Sequence, residues 1–174
     1  MRNGLALIGL LAILTGVGAA FFFFGGYYSV STTAYEPEIV RWALVSVREA
    51  SVRRHANDIP PSGLDNSAMQ RAGARAYVER GCVNCHGGPG AEWAKFSEGL
   101  RPDPPDLKEV IKDLAAEQLF WVIKNGINMT GMPGFGDAPD PEIWSIVAFL
   151  KKLPTISDED FKSWTATPPT ASKS

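Results

Sequence analysis

The sequence is poor in the residues that usually hold metals or crosslink a small fold. Of its 174 residues only two are cysteine, Cys82 and Cys85, and only two are histidine, His55 and His86. Two cysteines exclude a multi-disulfide scaffold, a four-cysteine zinc ribbon and a four-cysteine iron–sulfur site. The net charge is only −2, so nucleic acid is not expected as a partner. No stretch alternates apolar and polar residues as a strand does, and the predicted fold class is therefore all-α.

The N-terminal segment lacks charge altogether. Residues 3–35 carry no charged side chain, and the run 4–28 is apolar apart from Thr15. About 20 apolar residues in a helix span the hydrocarbon of a bilayer, so residues 1–30 are predicted to form a single transmembrane anchor. The alternative is a cleaved secretory signal, but the apolar run continues through Phe21–Phe24 and past the small residues of the cleavage site. Either interpretation leaves the residues after about 30 outside the cytoplasmic membrane.

Residues 31–63 are predicted to form an amphipathic basic helix and a linker. Apolar residues recur at helical spacing from Glu38 to Ala56, and four arginines accompany them. This pattern is typical of a solvated helix beside the membrane or the following domain, and the alternative is a docking surface for a partner or for anionic lipid headgroups. The run Ile-Pro-Pro-Ser-Gly at 59–63 then breaks the helix. Residues 1–56 carry five basic and three acidic side chains, whereas residues 57–174 carry twelve and sixteen.

The segment 64–156 is predicted to be one helical domain. Helices are expected over 68–80, 113–125 and 140–152, the last two each starting at an aspartate cap. Ser67 and the glutamine three residues later have the spacing of a capping box.

The loop 87–106 is rich in glycine and proline and has no periodicity. A loop of this length in a compact domain indicates that it wraps a ligand. The tail 157–174 is predicted to be largely disordered because it is rich in Thr, Pro and Ser from Thr165 onward, with Phe161 and Trp164 holding one short turn before Thr165.

The chemistry of the sequence is concentrated in Cys82-Val83-Asn84-Cys85-His86. Two thiols three positions apart, followed at once by a histidine, can bond to the two vinyl groups of a haem while the histidine ligates the iron. A bare Cys-x-x-Cys also occurs in zinc sites and redox disulfides. Zinc would need His55 and a carboxylate from elsewhere, and a thioredoxin-like site would need strands between its helices. The predicted cofactor is therefore one covalent haem c, attached through Cys82 and Cys85 with His86 as an axial ligand.

The iron of such a haem has a second axial position. The candidates are His55, Met69, Met129 and Met132, or no ligand. Met129 and Met132 lie in an irregular loop whose glycines permit close approach to the haem face and whose Pro133 stiffens the backbone. Met132 is preferred as the ligand and Met129 is the alternative, although methionine in general often only fills gaps in a core.

The residues Cys82–His86 and Gly131-Met132-Pro133 together resemble a class I c-type cytochrome of the mono-haem, membrane-anchored bacterial kind. The resemblance covers about residues 68–153, and the run from Phe120 to Phe135 strengthens it. It implies a cytochrome c fold around one haem, in which the carbonyl of Pro105 accepts a hydrogen bond from the proximal histidine. It also implies that the first and last helices of the domain cross, with Gly73 and Tyr77 on one and Trp144, Val147 and Ala148 on the other.

With His86 and Met132 both bound, the iron has no open site. The predicted activity is therefore one-electron transfer by a carrier, not enzymatic turnover of a small-molecule substrate. The resemblance places the haem domain in the periplasm, on a bacterial inner membrane. Its expected redox partners are a quinol-oxidising complex, a terminal oxidase or a dehydrogenase.

Two other functions remain as alternatives. One is a tightly bound cytochrome c subunit of a membrane-bound dehydrogenase or oxidase complex. The other, ranked below it, is a haem sensor or peroxidase, which needs an open axial position. In every case the haem fills space that side chains would otherwise occupy, so the haem-free protein is expected to be poorly folded.

Overall fold

The computed structural model describes residues 2–166 and divides the chain into two units, Met1–Glu36 and Pro37–Ser174. The first unit contains helix α1, Arg2–Phe24, which is 23 residues long and carries no acidic residue in its first turn and no basic residue in its last. Its stretch from Asn3 to Phe24 is long and apolar enough to cross a membrane. The helix runs through Phe21–Phe24, and the rings of Phe21 and Phe22 contact Tyr27 just beyond its end.

The second unit is built from helices. They are α2 (Glu38–His55), α3 (Ser67–Glu79), α4 (Val83–His86), α5 (Leu107–Val110), α6 (Ala116–Asn125), α7 (Asp140–Lys152) and α8 (Asp158–Thr165), with 3₁₀ turns at Lys95–Gly99, Ile111–Asp113 and Leu153–Thr155. In the described part of the chain there are no β-strands, and β-type pairing is limited to one isolated antiparallel bridge between Gly88 and Ala91. The all-α prediction is confirmed.

Helix α3 is capped one residue earlier than the sequence pattern suggests. The Oδ1 atom of Asn66 accepts hydrogen bonds from the backbone N–H groups of Ala68 (2.8 Å) and Met69 (3.4 Å). Ser67 is the first helical residue and is not the cap. Asparagine and serine cap helices about equally well, so the spacing to Gln70 alone did not decide between them.

The predicted aspartate caps of α6 and α7 are both wrong. Asp113 ends a 3₁₀ turn, and α6 starts at Ala116, where the side chain of Gln118 accepts the N–H of Ala115 at 2.9 Å. Asp140 lies inside α7, after Pro139. Its carboxylate instead accepts from Lys124 Nζ at 2.7 Å and so ties α7 to α6.

The core forms where α3 crosses α7. A Cβ atom on Gly73 would lie 1.8 Å from the carbonyl oxygen of Ser145 and 2.9 Å from Cβ of Phe149, so only glycine permits this approach. Four residues on, the buried ring of Tyr77 packs on Phe149 with centroids 5.3 Å apart. The crossing thus lies at Gly73 and Tyr77 as expected, but their direct partners are Ser145 and Phe149.

Of the residues expected opposite Gly73 and Tyr77, Trp144 has another neighbour. Trp144 stacks on Phe120 of α6 at 4.2 Å, and Val147 and Ala148 are completely buried. Helix α7 is therefore buried on more than one side, against α3 and against α6.

Helix α2 belongs to the same unit as the domain that follows it. It packs against α6, with Val52 buried and the ring of His55 stacked on that of Trp121 at 5.9 Å. The break at 59–63, predicted to be a linker or a domain boundary, lies within the second compact unit.

The start of the tail also differs from the prediction. Residues 158–165 form α8, whose cap is Ser157: its Oγ accepts the N–H of Asp160 at 3.0 Å. Phe161 is buried and stacks on Phe149 at 5.6 Å. The ordered turn expected at Phe161 and Trp164 is thus longer than predicted, a helix that takes in residues 158–165 of the tail, and residues 167–174 lie outside the described residues.

Candidate haem-binding site

The turn α4 brings the two thiols and the histidine together. Gly81, with φ of +77°, lets the chain turn sharply from α3, and the N–H groups of Cys85 and His86 both bond to the carbonyl of Cys82. Cys82 and Cys85 are free thiols and half-buried. All three chemical groups of the motif therefore come from a single helical turn.

The imidazole of His86 is oriented by a hydrogen bond to the backbone carbonyl of Pro105. His86 Nδ1 lies 3.1 Å from the Pro105 carbonyl oxygen, and because a carbonyl can only accept, Nδ1 is the donor. This leaves Nε2 as the nitrogen with a free lone pair. Burial lowers the pKa of His86, against the opposing effect of this hydrogen bond. The neutral imidazole is the form that binds a metal, so His86 is prepared for ligation.

A second bond fixes the chain just after His86. The hydroxyl of Tyr77 donates to the carbonyl of Gly87 at 2.8 Å, and both residues are buried. Burial raises the pKa of Tyr77, so the phenol stays protonated and remains a donor. Sequence reasoning placed Tyr77 at the helix crossing but missed this bond. The sequence could have predicted such a bond, because the hydroxyl of a buried tyrosine usually has a hydrogen-bond partner.

The cysteines do not resemble those of a redox disulfide site. Burial raises the pKa of Cys82 to about 11, with the charge of Cys85 adding to the effect. Reactive Cys-x-x-Cys thiols have lowered pKa values instead. Cys82 is thus a protonated thiol at neutral pH, which does not match a thiol–disulfide exchange site.

The loop 126–139 holds Met132 against the core. The N–H of Ile127 donates to the carbonyl of Met132 at 3.2 Å, and the N–H of Met132 donates to the hydroxyl of Thr130 at 3.1 Å. Met132 is half-buried and packs against the core, whereas Met129 is 85% exposed with φ of +59°. The two methionines therefore have different surroundings, and the preferred candidate, Met132, is the half-buried one.

Two ion pairs of Arg80, which we call the Arg80 fork, connect this loop and α7 to the haem motif. Arg80, two residues before Cys82, donates from Nε to Glu142 at 2.7 Å and from a terminal nitrogen to Asp137 at 3.2 Å. Asp137 belongs to the loop and Glu142 to the first turn of α7. Arg80 thus ties the C-terminal end of α3 to both.

The other two ligand candidates have different surroundings. His55 Nδ1 lies 2.8 Å from the carbonyl of Ser51, one turn earlier in α2, and its ring is stacked on Trp121. Met69 lies in the first turn of α3, half-buried against the core. Both side chains contribute to packing within the unit.

The residues present fit a covalently attached haem. A cleft of about 430 Å³ lies beside Cys85, His86 and Pro105 and is also lined by Leu107 and Leu153, whereas Cys82 and Met132 lie outside its lining. This volume is within the range of about 300–1,000 Å³ typical of cofactor and ligand sites. Partly buried apolar side chains border the same core, among them Cys82, Val83, Leu107, Leu114, Met132 and Phe135. The residues thus supply the groups that hold a covalent haem: two thiols, a free imidazole nitrogen and a thioether, all with apolar neighbours.

The helical fold and the Cys-x-x-Cys-His turn are features of a c-type cytochrome domain. Residues 68–150, a little under half of the chain, match the family model described as cytochrome c oxidase, cbb3-type, subunit III. The match supports a monohaem class I c-type cytochrome over this segment, a family whose covalent haem carries electrons. Neither the comparison with curated proteins nor that with solved structures gives a match. The matched segment includes Cys82–His86, Pro105 and Met132.

Proposed function

We propose that this chain is a membrane-anchored one-electron carrier with a single haem. In this proposal Cys82 and Cys85 form the thioethers, and His86 and Met132 are the axial ligands of the iron. The observation that carries the proposal is the hydrogen bond from His86 Nδ1 to the carbonyl of Pro105, because it holds the proton on Nδ1 and leaves the lone pair of Nε2 available to a metal. Bound haem supplies an iron centre that alternates between the ferric and ferrous states.

The residues around the site set the properties of that centre. Pro105 fixes the tautomer and orientation of His86 and makes it a stronger donor to iron. A thioether at the opposite position raises the reduction potential, as does burial. The hydrogen bonds within the loop 126–139 and the Arg80 fork hold Met132 in place. With His86 and Met132 both bound to the iron of a haem, no site on the iron would remain open to oxygen or a substrate.

The proposed location is a bacterial inner membrane with the haem domain in the periplasm. Helix α1 serves as an uncleaved anchor, supported by its length and apolar composition. The residues beyond 56 are net acidic, so a positively charged docking surface is expected on the partner, and association should weaken as salt is added.

A tightly bound subunit of an oxidase complex is the second candidate. The description of the matching family, subunit III of a cytochrome c oxidase, favours it. Purification from membranes in a mild detergent separates the two candidates. A carrier is recovered as a free chain with its haem, whereas a subunit co-purifies in fixed proportion with larger oxidase subunits.

The ligand assignment is tested by replacing the two methionines separately. Met132→Leu is expected to abolish the sulfur–iron charge-transfer band of the ferric spectrum and to lower the reduction potential. Met129→Leu is the matched control and should leave both unchanged, because Met129 is exposed. An unchanged spectrum in the Met132 variant would refute the assignment.

The covalent attachment is tested by intact mass. The wild-type chain is expected to carry the mass of one haem after denaturation. The Cys82→Ser/Cys85→Ser double variant should lose this mass completely. A haem retained covalently by the double variant would contradict the role of the two cysteines.

A further inference from the structure

Helix α2 has two apolar faces, and the haem domain covers only one of them. Val45 and Val52, seven residues apart, lie on the face towards α6, where Val52 is buried. The opposite face carries Ile39, Ala43 and Val47 at successive four-residue intervals, with Trp42 beside them. Ile39, Trp42 and Val47 are each about two-thirds exposed. Large apolar side chains grouped in this way on a surface indicate a contact with something outside the chain.

The exposed apolar face ends in basic residues. At helical spacing, Arg54 continues the stripe of Ile39, Ala43 and Val47 towards the C-terminal end of α2, and Arg53 lies next to it. Four arginines and two glutamates give the helix a net positive charge, and Glu49 is already paired with Arg53 at 3.6 Å. An apolar stripe bordered by arginines is the pattern of a helix that lies in a membrane interface.

The chain itself limits how far α2 can be from a membrane. Only thirteen residues, 25–37, separate the end of α1 from the start of α2. Even fully extended they reach about 45 Å. Tyr27 and Tyr35 in this connection are exposed, and tyrosine favours the interface. With α1 in the bilayer, the connection keeps α2 at a high local concentration near the surface, so even a weak affinity is sufficient for binding.

We propose that the face of α2 formed by Ile39, Trp42, Ala43 and Val47 lies in the interface of the bilayer that α1 spans, with Arg53 and Arg54 at anionic headgroups. The inference rests on the proposed anchoring by α1. Because the other face of α2 packs on α6, this contact holds the haem domain in one orientation on the membrane. A bilayer accounts for the apolar stripe, the terminal arginines and the short connection together.

The test uses the full chain with its haem, reconstituted in nanodiscs of phosphatidylcholine and phosphatidylglycerol. With Cys82 and Cys85 bound to haem, an introduced cysteine is the single thiol available for a nitroxide label. Labels at Ala43→Cys and Val47→Cys report on the exposed apolar face. Arg48→Cys is the matched control, because residue 48 lies on a different side of the same helix. Power-saturation spectroscopy then compares access to oxygen, which dissolves in lipid, with access to a water-soluble nickel complex.

Labels at 43 and 47 are expected to be several-fold more accessible to oxygen than to nickel, and the label at 48 should show the reverse. Removing phosphatidylglycerol from the discs, or introducing Arg53→Gln/Arg54→Gln, should reduce the shielding at 43 and 47. Equal access of nickel to all three positions would overturn the proposal. Shielding from nickel that appears only together with spin–spin broadening between labels would also overturn the proposal. In that case a second copy of the chain, and not the bilayer, would cover the apolar face of α2.

Alkaline extraction of the same chain from membranes distinguishes failure of the anchor from failure of the contact. If the chain resists alkaline extraction from membranes but labels 43 and 47 are open to nickel, α1 anchors the protein and the proposed contact of α2 is wrong. If the chain is extracted as a soluble protein, the anchoring itself is wrong, and the proposal for α2 is overturned with it.

Discussion

Replacing Gly73 by alanine tests whether the crossing of α3 and α7 limits the stability of the haem domain. The new Cβ would lie 1.8 Å from the carbonyl oxygen and 2.4 Å from the carbonyl carbon of Ser145. Both are backbone atoms of a helix that is buried along most of its length. No side-chain rotation relieves the collision, so the two helices must separate.

The magnitude follows from the distances. Ordinary contact begins near 3.4 Å, so the helices must move apart by roughly 1.6 Å at this point. Overpacking of a core costs about 1–3 kcal/mol and occasionally more, and a backbone collision belongs at the upper end of that range. Alanine has a higher helix propensity than glycine, and this stabilises α3 by about 1 kcal/mol and offsets part of the cost. The expected net loss is therefore about 2 kcal/mol or more of the free energy of unfolding.

The assay is equilibrium unfolding of the full chain with haem by denaturant in a mild detergent, followed by haem absorbance. Gly99→Ala is the matched control, because the same methyl group added there meets nothing within 4 Å. The control should change the free energy of unfolding by less than about 0.5 kcal/mol. A Gly73→Ala protein as stable as the control would refute the close crossing. Ser145→Ala should not rescue the variant, since the colliding atoms are backbone.

Three further predictions follow from the contacts around the site. Tyr77→Phe should lower the free energy of unfolding by about 1–2 kcal/mol in the same assay, because the buried carbonyl of Gly87 loses its donor. Arg80→Gln should lower the denaturant midpoint by loosening the contacts to Glu142 and Asp137, and the difference from wild type should shrink in high salt. Haem-free protein should show no cooperative thermal transition by circular dichroism, because the space beside the core is left unfilled.

Each of these predictions has a control or a contradicting result. Tyr35→Phe removes the same hydroxyl from an 84% exposed ring and should have no effect. Lys95→Gln removes a lysine that is 92% exposed and should leave the midpoint unchanged, so an effect equal to that of Arg80→Gln would contradict the fork. A native-like cooperative melt without haem would show that the polypeptide core is sufficient by itself.

The haem-binding turn was readable from the sequence because its geometry is local. Cys82, Cys85 and His86 lie within five consecutive residues, and any helical turn there places them together. The all-α class was equally accessible, since it depends on the period of the apolar residues. Pro105 entered through the family resemblance, and its carbonyl lies 3.1 Å from His86 Nδ1.

The helix boundaries were less predictable because their capping groups have competing partners. Asp140 has every local feature of an N-cap, yet its carboxylate bonds to Lys124 from another helix. Asn66 and Ser67 are adjacent candidates of similar capping strength, and the structure uses Asn66. Helix α8 resembled a tail because it is short and polar, and burial of Phe161 on Phe149 gives it a tertiary contact.

The sequence by itself determined what depends on neighbouring residues: an apolar span, a helical fold and a Cys-x-x-Cys-His turn. The tertiary structure alone decided what depends on distant ones. It separated half-buried Met132 from exposed Met129, matched Gly73 to the backbone of Ser145, and left one apolar face of α2 uncovered. The physical reason is that periodicity and spacing act along the chain, whereas burial and close contact are set by which surfaces meet when the helices pack.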